Sequence, residues 1–190
     1  MSTLTPPVRL TPEDVERACE RDGKLYELID GELKEKKVGA EALFIATRIA
    51  AVLNAAFYPH TGMAACELMI YCFDGRSHGR KPDVVYVRLN RLPSGRIPTG
   101  DLFVAPDLVA EVLSPNNSGS EVDEKLDEYI TAGVSLVWIV NPDRRTIRVF
   151  RQDGTHRLYH ANDVIENEPA LPGFRLVVGE VFPAEAPVSQ

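Results

Sequence analysis

Cysteine is scarce in this chain. Cys19, Cys66 and Cys72 are the three present among 190 residues, and no two form a CxxC pair. That leaves no disulfide framework to hold a fold and gives a cysteine zinc site no support. The expectation is reduced, buried thiols. The four histidines stand far apart at 60, 78, 156 and 160, so they supply no zinc motif either. Positive charge is also short, with 21 Lys and Arg against 28 Asp and Glu and a net charge of −7. A protein that grips nucleic-acid phosphates over a broad face carries a basic surplus, which argues against tight nonspecific binding and leaves room only for a local basic cleft. The basic middle stretch of Arg76, Arg80, Lys81, Arg88, Arg91 and Arg96 has a plain alternative as a solvated loop. No uninterrupted apolar run reaches the ~18 residues of a membrane span. Met1 to Leu10 is polar and proline-bearing, without the basic and apolar regions of a signal peptide. A cytoplasmic location with no membrane partner is the resulting expectation.

What is present suits a globular protein. Hydrophobic residues make up 44% and charged residues 26%, and the length fits one α/β domain over 1–190, with 1–10 and 184–190 as flexible tails. Thr11-Pro12-Glu13-Asp14 combines an N-cap, a proline at the first helical position and early acids, and predicts a helix ending near Gly23. Asp30-Gly31 between alternating apolar residues predicts a two-residue hairpin over 24–34. Residues 40–57 contain no Gly or Pro and carry apolar residues on more than one face, which predicts a long, largely buried helix. Strands are expected over 62–73, closed by Asp74-Gly75, and over 81–89 and 107–113. A second helix is expected from about Glu121 to Ala132, with Ser120 and Asp123 as a capping box and Gly133 as its stop. Strands over 135–140 and 146–151 form a hairpin, and short strands fit 157–160 and 174–178. This order describes a mixed α/β layout around one sheet.

Two acids stand out by their neighbours. Asp83 opens an apolar strand directly after Pro82, and Glu111 lies inside Val109-Ala110-Glu111-Val112-Leu113. Burying a carboxylate is costly without a partner. Strand alternation puts Glu111 on the face of Val109 and Leu113. A divalent cation shared with Asp83 would justify both charges, since hard cations take carboxylate and water oxygens. The competing account pairs Glu111 with an arginine and lets Asp83 cap a turn after Pro82.

Longer motifs occur in a fixed order: Tyr26-Glu27-Leu28-Ile29-Asp30-Gly31-Glu32, Lys81-Pro82-Asp83-Val84-Val85-Tyr86-Val87, Pro106 to Pro115, Glu124 to Val134, Val137-Trp138-Ile139-Val140-Asn141-Pro142 and Leu171-Pro172-Gly173-Phe174. From about Tyr26 to Phe182 the chain resembles the Uma family of restriction-endonuclease-like proteins, a bacterial branch of the PD-(D/E)XK nucleases. The resemblance implies a restriction-endonuclease-like core, a central mixed β-sheet flanked by helices with an added N-terminal hairpin. It implies a metal-dependent endonuclease acting on DNA, or a catalytically weak relative that binds nucleic acid or protein. Asp83 and Glu111 become the ligands of Mg²⁺ or Mn²⁺, with the Val112 carbonyl as a further oxygen. Leucine at 113 stands where the superfamily has lysine, and Lys125 is its migrated counterpart, unless it merely pairs with Glu121 and Glu128 along the helix. Glu27 is a further candidate at the metal or bracing the site. Glu41 is a weaker one, with a plain role against the helix dipole. Ala42 stands where related sequences often carry histidine. Superfamily members often dimerise, so a homodimer is an expected partner, and Trp138 serves either its interface or the core.

Overall fold

The computed structural model describes residues 9–73, 77–115 and 117–184. The Asp74-Gly75 turn, Arg76 and most of the two expected tails lie outside them. Helix α1 (Pro12–Asp22) starts where expected, with the Asp14 carboxylate accepting from the Thr11 backbone N–H at 2.9 Å and from its hydroxyl at 3.0 Å. Gly23, at φ 71°, ends it. Strands β1 (Leu25–Ile29) and β2 (Glu32–Lys36) pair antiparallel around Asp30 and Gly31, both at positive φ, as the turn chemistry requires. Val15 of α1 and Leu28 of β1 meet Met69 and Tyr71 in a small core. Leu10 is tied down rather than loose, its N–H donating to the Gly31 carbonyl.

The main sheet has six strands in the order β3-β4-β5-β6-β7-β8: β3 (Gly62–Cys66), β4 (Val84–Arg88), β5 (Leu108–Val112), β6 (Leu136–Asn141), β7 (Thr146–Arg151) and β8 (His156–His160). Only β5 and β6 run parallel, because helix α3 (Gly119–Thr131) crosses between them. The other neighbours are antiparallel. A small second pair, β9 (Val164–Glu166) with β10 (Arg175–Val177), follows. β9 was not foreseen.

Strand alternation divides the apolar residues between two faces. Tyr86, Ala110 and Trp138 meet Ile45, Ile49 and Leu53 of α2 (Ala40–Phe57) on one face. Val85, Val109 and Val137 meet Tyr129 of α3 on the other. Trp138 is fully buried, its ring 6.2 Å from Phe174. It is a core residue.

Several expectations need correction. α2 is not largely buried: a stripe at four-residue spacing packs on the sheet, while Leu43 and Phe44 are 46% and 47% exposed. By length and composition its 18 residues suit a membrane span, although Glu41 and Arg48 interrupt the apolar run, and in the fold it packs on β3, β4 and β5. The strand expected over 62–73 stops at Cys66, because Glu67 turns to φ 54°. The cap of α3 is Ser118 with Glu121, not Ser120 with Asp123. The Ser118 hydroxyl accepts from the Glu121 N–H and the Glu121 carboxylate from the Ser118 N–H, each at 3.2 Å. All three cysteines are free but only partly buried. Three residues of the basic stretch do not behave as a solvated loop: Arg80 is 1% exposed, and Arg88 and Arg91 both pair with the buried Asp107, whereas Arg96 is exposed and Arg76 lies outside the described residues.

Candidate active site

Asp83 and Glu111 reach one place because their strands are neighbours. β4 and β5 pair with Val84 opposite Ala110 and Val85 opposite Val109. One step further along that register sets Asp83 opposite Glu111. Asp83 shares the parity of Val85 and Glu111 that of Val109, so both point to the α3 face. They are 5% and 9% exposed. Asp83 does not cap a turn after Pro82. Its Oδ2 accepts from the Val112 N–H at 2.6 Å, tying the start of β4 to the end of β5.

Among the described residues, no arginine pairs with Glu111. Its partners come from α3, where Lys125 and Tyr129 are four residues apart and share a face. The Tyr129 hydroxyl donates to Glu111 Oε1 at 2.6 Å, and Lys125 Nζ lies 3.3 and 3.2 Å from the two carboxylate oxygens. Lys125 also lies 3.3 Å from Glu27. The helical ion pairs suggested for Lys125 are not made, because Glu121 is taken by Lys34 at 3.0 Å and Glu128 by Arg80 at 2.6 and 2.7 Å. Glu27, 3% exposed, accepts from the Lys81 N–H at 3.1 Å and from Arg80 at 3.2 Å.

These contacts set the protonation states. Burial pushes the Glu27 carboxyl up, but Lys125, Arg80, the Lys81 N–H and Lys36 together outweigh it and hold Glu27 below its usual range. Burial pushes Glu111 up, and Asp83 beside it adds to the rise against the opposing charge of Lys125. Burial works against the Lys125 ammonium, yet Glu111 and Glu27 raise its pKa and keep it charged. Removing carboxylates from water separates them in this way, the one nearest cations ionising most easily.

Lys36 of the cleft, and Glu67 and Tyr129 beside its acids, escaped the sequence reading. Lys36, at the end of β2, places Nζ 2.8 Å from Asp83 Oδ1, 3.0 and 2.8 Å from the Glu67 carboxylate oxygens and 2.6 Å from the Lys81 carbonyl. Glu67 is raised to about 6, chiefly by burial, with Lys36 opposing and Asp83 adding. Glu67 did carry a signal, as the one charge in the apolar run from Gly62 to Phe73. Lys36 carried none, since alternating lysines in a hairpin strand look like a solvated face. Tyr129 lies with Val122, Leu126 and Ile130 on the apolar face of α3, so its hydroxyl stands out in no pattern.

Asp83, Glu111, Lys125, Glu27 and Lys36 line a cleft of about 220 Å³ with Lys34 and Lys37 at its rim. Ala42 lines it too, so the position expected for a histidine faces the site with a methyl group. Glu41 is exposed in the first turn of α2 and does not line the cleft. Among the described residues, no group of three or more His, Cys, Asp or Glu converges as a metal site. Two hard carboxylates at the end of neighbouring strands nonetheless match how Mg²⁺ is held, by one or two carboxylates with water completing its shell. The donor chemistry fits, and the elevation of Glu111 to which Asp83 contributes is what a shared cation relieves.

A mixed sheet with helices on both faces, and carboxylates from two adjoining strands in a cleft beside a helix-borne lysine, defines a restriction-endonuclease-like α/β protein. The chain belongs to the family described as "Uma2: Putative restriction endonuclease", which it matches over residues 12–179. A solved structure described as "a putative nuclease belonging to DUF820 from Anabaena variabilis ATCC 29413" is similar in fold, with a TM-score of 0.71 and 22% identity over 84% of this chain and 90% of that one. No curated protein matches.

Proposed function

We propose that this protein is an endonuclease that hydrolyses DNA phosphodiester bonds with the help of Mg²⁺ or Mn²⁺. The observation behind this reading is the convergence of Asp83, Glu111 and Lys125 in one cleft, in a chain of a nuclease family. Asp83 and Glu111 hold the ion, with the Val112 carbonyl as a further oxygen. A divalent ion bound there supplies Lewis acidity and a more acidic water. Lys125 stays protonated between Glu111 and Glu27 and presents its charge to the attacking water or to the phosphoryl oxygens. Glu27 is a positioning residue, which holds Lys125 and braces the Arg80 side. The setting we propose is cytoplasmic, with two copies of the chain addressing two strands.

The test is Mn²⁺ binding by calorimetry on the wild type and on Asp83→Asn, with a plasmid-nicking assay on the same pair. Binding and nicking that both disappear in the variant are expected. A wild type that binds no Mn²⁺ and nicks no plasmid overturns the reading. Ala42 in the cleft and the lysines already on both carboxylates favour one second reading, a nuclease-fold protein that binds nucleic acid without cleaving it. That reading expects DNA retention with no nicking at any Mn²⁺ concentration.

A further inference from the structure

Lys36 does something that neither the family's motifs nor the proposed catalytic set accounts for. It comes from the N-terminal hairpin, outside the main sheet, and crosses to Asp83, just before β4, and Glu67, just after β3. Its ammonium is surrounded by oxygens: both of Glu67, one of Asp83 and the carbonyl of Lys81, at 2.6 to 3.0 Å. The side chain is 11% exposed, so water competes little for it. Asp83 has two oxygens, and Oδ2 is committed to the Val112 N–H. The other, Oδ1, is the one an incoming ion would take, and Lys36 holds it at 2.8 Å.

We propose that Lys36 is a tethered competitor of the divalent ion at Asp83. This inference rests on the reading of Asp83 and Glu111 as the ion's ligands. An ammonium and a divalent cation cannot share Oδ1 at bonding distance, since like charges repel strongly where water is excluded. Ion binding therefore requires the ammonium to leave Asp83. Glu67 gives it somewhere to remain: two of its hydrogen bonds already run to that carboxylate, so the hand-over costs one charge-assisted contact instead of the whole set. The hairpin thus sets the ion concentration at which the site fills, and the lysine supplies a charge to the acids until then. Lys125 is not equivalent, because it is shared between Glu111 and Glu27 and makes no contact with Asp83.

The experiment measures Mn²⁺ binding by calorimetry on the full chain, comparing wild type, Lys36→Met and Lys36→Gln, each with and without Asp83→Asn. Lys36→Gln keeps a hydrogen-bond donor without the charge, which guards against loss of fold in the methionine variant. Removing the competing charge-assisted contact should tighten Mn²⁺ binding by about tenfold or more in both variants, and Asp83→Asn should abolish the gain. Unchanged or weaker binding in Lys36→Gln overturns the proposal, as does a gain that survives Asp83→Asn, or silence in wild type and both variants. Binding in the lysine variants but not in the wild type supports the competitor while removing ion use from the native chain, so the two readings fail separately. A wild type that binds through Asp83 with affinity equal to the variants leaves the nuclease reading intact and removes only the role of Lys36.

Discussion

A carboxylate held out of water needs donors, and Glu111 has two of different kinds. Lys125 gives it charge at just over 3 Å, while the Tyr129 hydroxyl gives it the shorter contact at 2.6 Å. Tyr129 is fully buried, and its own hydroxyl has risen well above the usual range through burial and the neighbouring Glu111 and Glu27, so it stays a donor at any working pH. Tyr129→Phe removes the donor and leaves the ring. A hydrogen bond to a charged group contributes about 1.5–3 kcal/mol, and that loss is expected in urea unfolding. A change under about 0.5 kcal/mol, the scatter of neutral substitutions, would mean that the contact does not hold Glu111. Glu67 makes a prediction with a definite sign. Its folded-state pKa of about 6 lies above its ordinary value of 4.5, so the folded state holds the proton more tightly. The stability this gives is complete below 4.5 and is lost as pH rises through about 6. Glu67→Gln cannot titrate, so its melting temperature should gain on the wild type across that window. A difference that stays flat with pH would contradict the assignment.

At the level of elements, the site depends on struts behind the acids. Arg80 is almost wholly buried between Glu128 of α3 and Glu27 of β1, and so joins the hairpin to the helix that carries Lys125. Glu128→Ala leaves that guanidinium with a single carboxylate. Stranding a buried charge costs about 2–4 kcal/mol here, somewhat less than for a sealed pair because Glu128 is partly exposed. Ser118→Ala removes only the helix cap, at about 0.5–2 kcal/mol. The expected order in denaturation is Glu128→Ala below Ser118→Ala, and the reverse order would show that the cap, not the strut, holds α3. The same elements show what was legible beforehand. α1, the hairpin turn, β5 and β7 are local matters of caps, turn residues and alternation, and their positions follow from sequence. Asp83 and Glu111 were legible because each is an acid in an apolar strand. The Ser118 cap was missed because two neighbouring serines offer similar chemistry. Lys36 was missed because its partners, Glu67 and Asp83, are 31 and 47 residues away, and the end of a hairpin strand has no pattern that says which cluster it will meet.

At the scale of the whole molecule, the net charge of −7 and a nucleic-acid substrate have to be reconciled. Three basic residues of the middle stretch do not resolve the conflict, because Arg80 is committed to Glu27 and Glu128, and Arg88 and Arg91 to Asp107. They stabilise the fold and are poorly placed to neutralise a long run of phosphates. The basic residues that line the cleft are Lys34, Lys36, Lys37, Arg80 and Lys125, and four of these already touch acids. Affinity should therefore come from a short contact at the cleft. Each neutralised phosphate contributes about −0.9 to the slope of log affinity against log salt on duplex DNA, so a slope of about −3 or shallower is expected. Filter binding or anisotropy between low and physiological salt, on Asp83→Asn to prevent cleavage, measures it. A slope of about −6 or steeper would require a broad basic face elsewhere on the molecule and would contradict the cleft as the main contact.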